Sequence, residues 1–356
     1  MKKRTIAVLV ALLTFAAGVA IARFTLPHFR TPAPPPPPAR HEIQLSNYRL
    51  SGPYQYENLT IFLVHGPDQA FSGPYTPLQQ AMERKQVAVY ETREVNELAI
   101  ENRSASEEVF VQAGDIVKGG QQDRTLAVDL IVPAKSGRMP IDAFCVESGR
   151  WTQRGVESPA EFRTSQDMVA TKELKMATKA EASQAKVWRE VETAKADLSE
   201  SVNADVAGVA SRSSMQLALE NDKVRESAAK YIDKLTSLVD EHSDVIGFVF
   251  AINNKLNSAD VYPSNAMFKQ FWPRLLKAAA VEAVAESSPA ARPANEALPI
   301  NAVADFIVAA EKGNESLNEV TKRTHMAKRE SEQGIFFETR DMSHGGAWIH
   351  RNYLTR

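Results

Sequence analysis

Five consecutive prolines, Pro34 to Pro38, constrain this chain more than any other feature. A proline run has no amide donors and a fixed φ, so neither helix nor sheet can pass through it. It adopts polyproline II, at about 3.1 Å per residue, and acts as a spacer of roughly 25–30 Å. Whatever folds must therefore fold after it. Before it, Lys2, Lys3 and Arg4 precede an uncharged run from Thr5 to Ala22, ended by Arg23. A basic start followed by an apolar segment is an export or membrane signal. The run would reach roughly 27 Å as a helix, the short end of a membrane span. Ala20-Ile21-Ala22 also reads as a small-x-small cleavage site.

The expected organisation is a signal anchor or signal peptide over 1–24, a Pro-rich linker over 25–41, and one large domain over 42–356 with a subdivision point near 155. The tether-like linker favours an uncleaved single-pass anchor in a bacterial inner membrane, with the folded domain in the periplasm. The alternative is a secreted or periplasmic protein released by cleavage after Ala22. By the positive-inside rule the basic residues keep the N-terminus on the cytoplasmic side.

The chain has 356 residues, 42 Lys+Arg and 44 Asp+Glu, so its net charge is −2. A nucleic-acid binder would need a basic excess, so no nucleic-acid partner is expected. A single cysteine excludes an intrachain disulfide and any multi-cysteine metal site. No HExxH or EF-hand pattern occurs, and His344 and His350 alone do not make a metal site. Neither a metal nor a cofactor is expected.

From His41 to Trp151 the sequence reads mainly as strands. Leu59 to Val64, Val87 to Tyr90 and Val109 to Val111 are short apolar runs, with a helix from Pro77 to Arg84 between the first two. Leu126 to Val132 alternates with period two, Ser136-Gly137 marks a turn, and Ile141 to Glu147 reads as the returning strand. From about Ser158 to Asp240 the period becomes helical: Ala177, Ala180, Val187, Trp188 and Val191 form one stripe, and Val224, Ala228, Tyr231, Leu235 and Leu238 another. Val245 to Ala251 is a strand, and Ser264 caps the helix after it. Ser287 to Pro299 is a linker, and a helix from Ala302 to Ala310 follows, capped by Asn301 and stopped by Gly313. Gly334 to Glu338 and Trp348 to Leu354 are late strands. The fold class is α+β: an antiparallel strand-rich first half, a helical middle, and late strands returning to the sheet.

The chemistry-bearing residues concentrate between Gly114 and Trp151. Gly119-Gly120-Gln121-Gln122-Asp123-Arg124 precedes one strand and Cys145-Val146-Glu147-Ser148-Gly149-Arg150-Trp151 ends the next. A hairpin would bring Asp123 and Arg124 beside Glu147 and Arg150. Ile141, Ala143, Cys145 and Glu147 share a strand face, so an inward Cys145 draws Glu147 inward. A buried carboxylate needs a partner, and Arg124 or Arg150 would supply it. Cys145, flanked by Phe144 and Val146, reads as a buried small hydrophobe.

These two strings resemble the core of the uncharacterised ARG and rhodanese-phosphatase-superfamily-associated domain family, named for association with ADP-ribosylglycohydrolase and rhodanese–phosphatase proteins. Gln184 to Val191 and Gly247 to Trp272 are also similar to it, and the likeness extends from about residue 45 to 356. The resemblance points at Gln122, Arg124, Cys145, Glu147, Arg150 and Trp151. The family's name records gene neighbourhood and implies no mechanism.

Two functions fit the residues. One is a membrane-tethered periplasmic ligand-binding or protein-interaction domain. Its membrane contact is the N-terminal helix, and its partner is an unknown protein or a small anionic ligand. In that reading the ligand-binding residues are Gly119, Gly120, Gln122, Arg124, Arg150 and Trp151: the glycine amides and arginines hold the anion and Trp151 stacks on a ring. The alternative is a hydrolase acting on a phosphorylated or ribosylated substrate, with Glu147 as catalytic acid/base and Arg124 and Arg150 as substrate clamps. A Glu147 sealed by arginines counts against catalysis; one open to a cleft favours it.

Overall fold

The computed structural model describes residues 41–70, 73–287 and 298–356. The expected anchor and Pro-rich linker, and most of the Ser287–Pro299 linker, lie outside the described residues. Among those described, no helix is long and apolar enough to cross a membrane. The described residues pack as one unit.

Its largest sheet has nine strands among the described residues. The order is His41–Gln44, Arg49–Tyr56, Leu59–His65, Val245–Ile252, Lys255–Val261, Ala347–Thr355, Gly334–Asp341, Thr324–Glu330 and Asn314–Glu319. All the pairings are antiparallel. The C-terminal strands thus return to the sheet begun by the first strands. The α+β expectation holds, strand-rich first half, helical middle and returning strands alike.

The middle of the sheet is apolar on both faces, because each face is covered. Phe248 and Phe250 pack under the helix Asn265–Ala285, against Phe268 and Trp272. Phe62, Val64 and Val249 face the helix Ile300–Glu311 through Phe306 and Ile307. Each such buried side chain contributes about 1.5–3 kcal/mol. The Asn265–Ala285 helix starts as expected, with the Ser264 hydroxyl accepting from the Met267 amide at 3.2 Å.

A six-stranded sheet carries the two motifs. Its order is Phe162–Met168, Asp115–Gly119, Arg124–Leu126, Gly137–Cys145, Glu97–Asn102 and Val87–Glu91. Gly137–Cys145 runs antiparallel to Arg124–Leu126, with Cys145 opposite Arg124.

Several local expectations change. The period-two run Leu126 to Val132 is two strands in different sheets, because Leu130–Val132 leaves to pair with Val109–Val111. The break is at Asp129, whose buried carboxylate accepts from the Ala113 amide at 2.8 Å and the Thr339 hydroxyl at 2.6 Å. The first helical stripe is broken as well: Met176–Ala180 is a π-helical turn, and Ser183 caps a separate helix, Gln184–Ser201. The late helix begins at Ile300, after Pro299, and Asn301 is an exposed first-turn residue that caps nothing. Proline fits there because its fixed φ suits a helix start. The strands Asn314–Glu319, exposed at the sheet's edge, and Thr324–Glu330, paired beside it, escape the sequence reading because both are mostly polar.

Candidate functional site

The register of the Gly137–Cys145 strand decides where each motif residue goes. Cross-strand partners point to the same face, so Arg124 lies against Cys145. Its Nη1 donates to the Cys145 Sγ at 2.8 Å and to the Val95 carbonyl, and its Nη2 reaches Glu91 Oε1 at 3.4 Å. Arg124 is fully buried and does not meet Glu147. Its charge is balanced by Glu91, a residue the sequence reading did not single out. Burial pushes the Cys145 thiol up to about 11, despite the adjacent guanidinium, so it is protonated near neutral pH and not a nucleophile there. Gln184 pins the strand end: its side-chain amide accepts from the Cys145 N–H at 2.8 Å and donates to the Cys145 carbonyl at 2.9 Å.

Glu147 lies beyond the last paired residue, where the loop that follows closes over it. Arg150 grips it with two bonds, Nε to Oε1 at 2.6 Å and Nη2 to Oε2 at 2.7 Å. The Asp123 amide donates to Oε2 at 3.0 Å. Asp123 is gripped in turn by Arg154, at 2.7 and 2.8 Å. Its carboxylate also accepts from the Ser214 hydroxyl at 2.7 Å and the Gly119 amide at 3.0 Å. Cross-links at 3.8 Å (Arg154 to Glu147) and 3.9 Å (Arg150 to Asp123) close a square of two carboxylates and two guanidiniums. The Asp123 and Glu147 side chains are 0% exposed, that of Arg150 9%. Burial opposes ionisation of Glu147, but the hydrogen bonds from Arg150, Ser211 and the Asp123 amide outweigh it and hold the carboxyl below its usual range.

The structure therefore brings Glu147 and Arg150 together, as the hairpin argument expected, and leaves Arg124 out. Arg154 takes the second arginine's place. In the sequence, Arg154 and Glu157 look like a solvated loop pair. The one available signal is that an arginine and a glutamate three apart sit just past the motif, and they do pair, at 2.9 Å.

Both glycine amides are bonded within the protein. That of Gly119 goes to Asp123, and that of Gly120 to the Ser158 carbonyl at 3.1 Å. Gly120 has φ +54°, and a Cβ there would lie 2.3 Å from Phe162 Cζ, so glycine is a packing requirement at this turn. Gln122 is fully buried, and neither of its amide atoms has a hydrogen-bond partner among the described residues.

Trp151 is the predicted site residue that reaches the surface. It is 45% exposed, and the Arg124 guanidinium carbon lies 5.9 Å from its ring centroid. Val156, on the same loop, is 91% exposed. The ion square also fastens the loop that precedes the helix Met215–Leu219, through Ser214, through the Met215 amide on the Val146 carbonyl at 2.9 Å, and through the Ser213 hydroxyl on the Ser148 carbonyl. Where the two loops meet, Ser148, Glu192, Lys195, Asp205, Arg212 and Ser213 line an open cleft of about 480 Å³. That is within the range of small-molecule sites. Among the described residues, no group of three or more His, Cys, Asp or Glu side chains is placed to hold a metal ion.

The family model of the ARG and Rhodanese-Phosphatase-superfamily-associated Protein domain matches residues 47–354. Comparison with curated proteins and with solved structures finds no match.

Proposed function

The chain belongs to the ARG and Rhodanese-Phosphatase-superfamily-associated Protein domain family, whose name carries an association and no activity, so we propose a function from the geometry: a binding module rather than a hydrolase. The observation that carries this reading is the closed ion square. Both Glu147 oxygens are occupied, and the side chain has no exposed surface through which a substrate could reach it. A general base must reach its substrate. The square instead fixes two loops, and Trp151, next to Arg150 on one of them, is exposed. Aromatic side chains on loops held by a rigid scaffold are common recognition elements. The cleft beside Ser148 is the companion site for a small ligand.

In this reading the N-terminal segment supplies the address. The basic start, the apolar run to Ala22 and the proline spacer favour a domain held on the periplasmic side of an inner membrane. Its partner there is a protein or a small anionic ligand.

The test is photo-crosslinking in cells from a photoreactive residue at position 151 of the full chain, with position 315, on the exposed strand Asn314–Glu319, as the control. A discrete adduct from 151 alone is expected, and it should be lost when Val156→Asp is added. Equal adducts from both positions, or none from 151, would overturn the reading.

A further inference from the structure

A second cleft lies across the helix Gln184–Ser201 from the one beside Ser148. At 3.6 residues per turn, Glu192, Lys195, Ala196 and Ser199 share one face of that helix, which lines the cleft at Ser148. Glu190, Thr193, Ala194 and Asp197 share the opposite face and line an open cleft of about 330 Å³. Its other walls are the start of the helix Lys172–Lys175 and the tip of the hairpin Val245–Ile252 and Lys255–Val261. Glu286, the C-cap of the helix Asn265–Ala285, completes it. The volume suits a small organic ligand.

The lining is acidic. Glu173, Glu190, Asp197 and Glu286 face two lysines, Lys172 and Lys255. Glu173 has Lys172 at 4.0 Å and Glu190 has Arg189 at 2.9 Å, while Asp197 and Glu286 have no ion pair among the described residues. Burial, then the neighbouring Glu200 and Glu173, raises the pKa of Asp197; burial and Glu173 raise that of Glu286, against Lys172 and Lys255. Glu286 also sits where the helix ends in unsatisfied carbonyls, which favour a cation.

A second observation points the same way. Asn257, on the hairpin wall, is 4% exposed. Its Nδ2 donates to Glu282 Oε1 at 2.7 Å, which leaves Oδ1 as an acceptor, and Oδ1 has no hydrogen bond among the described residues. Glu282 Oε2, behind it, has none either. A buried acceptor without a donor costs about 1–3 kcal/mol, so this wall lacks N–H or O–H groups. Beside it, Ile252 is buried and Leu256 partly so, and both are apolar. The described acids are not placed to converge on a metal ion. A flexible organic cation, with several N–H donors and an alkyl body, needs no such convergence.

We propose that this cleft binds an aliphatic polyamine, its ammonium groups on Asp197, Glu286 and Asn257 and its methylenes along Ile252 and Leu256. The ammonium groups supply the missing cations and the missing donors together. The site is separate from Trp151 and from the cleft at Ser148, so its test is independent of theirs.

The experiment is titration calorimetry of the full-length chain with spermidine, alone and in magnesium chloride or sodium chloride at matched ionic strength. Spermidine should bind saturably at one site, and magnesium should weaken it no more than sodium does. Asp197→Asn and Glu286→Gln lie at exposed positions, so both variants should fold, and each should weaken binding about threefold to fivefold. The double variant should weaken it about tenfold or more. Glu315→Gln removes the same charge from the exposed strand Asn314–Glu319 and should leave binding unchanged. No saturable spermidine binding to the wild-type chain, undiminished affinity in the double variant, an equal loss in Glu315→Gln, or displacement by magnesium beyond that by sodium would each overturn the proposal.

Discussion

Replacing Glu147 by alanine separates the structural reading of the motif cluster from the catalytic one. The change removes both Arg150 bonds and orphans the Asp123 amide. Breaking a buried ion pair by deleting one partner costs about 3–5 kcal/mol, and an unsatisfied buried donor about 1–3 kcal/mol. Arg150 keeps some compensation: its Nη1 donates to the carbonyls of Gly120 at 3.3 Å and Thr152 at 2.6 Å, and Asp123 remains 3.9 Å away. The net loss should be near 4 kcal/mol, or a Tm drop of roughly 6 °C for a unit of this size. Glu147→Gln keeps the shape and one acceptor and should lose about half as much. Circular-dichroism melts near neutral pH measure both, and about 0.5 M salt should change little, because buried pairs are poorly screened. The folded pKa of Glu147 is depressed, so its contribution is present above the unfolded value of about 4.3 and is lost as pH falls through the lower folded value. The gap between wild type and variant should close in acid. An unchanged Tm for Glu147→Ala together with lost binding or turnover would refute the argument.

Other expectations follow from single contacts. Gly120→Ala should cost about 2–4 kcal/mol in denaturant unfolding, from positive φ and the Phe162 overlap. Trp151→Ala should change stability by less than about 1 kcal/mol in the same assay, since the ring is half exposed. Burial lowers the pKa of His350, but Asp129 and Asp260 outweigh it, and the folded value is raised. Its stabilisation is full below the unfolded value of about 6.5 and fades as pH rises through the folded value, so His350→Gln should flatten the alkaline fall in a Tm–pH profile. Glu282 is also raised, to about 7, chiefly by burial. Glu282→Gln should therefore be neutral or destabilising near pH 4 yet raise stability at about pH 8, on the order of 2 kcal/mol, as read from paired melts.

Much of the fold is legible in the sequence because burial writes itself as apolar runs. Val245–Ile252 and Gly334–Asp341 are wholly or nearly wholly buried strands, and their Val, Ile and Phe runs announce them. The edge strand Asn314–Glu319 is exposed along its whole length and carries no such signal. In the motif region the alternation of side chains pairs Cys145 with a Glu147 that is indeed buried, although the loop past the strand end, and not the pleat, covers it. It could not show that Arg124, opposite Cys145, would turn to Glu91 and Val95. Nor could it supply Arg154 or Ser214, because their contacts with Asp123 join loops that are 31 and 91 residues apart from it in sequence. Asp129 and His350 are a similar case. Asp129 sits at a break in an otherwise ordinary alternating run and His350 in a strand, and their pairing joins residues 221 apart in sequence.

Hydrogen exchange of the full-length chain, resolved at the amides of Asp123, Val146 and Met215, tests the closed square most directly. These three amides bond to Glu147, to the Asp123 carbonyl and to the Val146 carbonyl. The account predicts protection comparable to the buried strand Val245–Ile252, surrounded by fast exchange at Gly149 and Gly155 on the exposed loop. Loop-like exchange at Asp123 and Met215 would contradict it, because water would then reach Glu147, and the acid/base role would become the better reading.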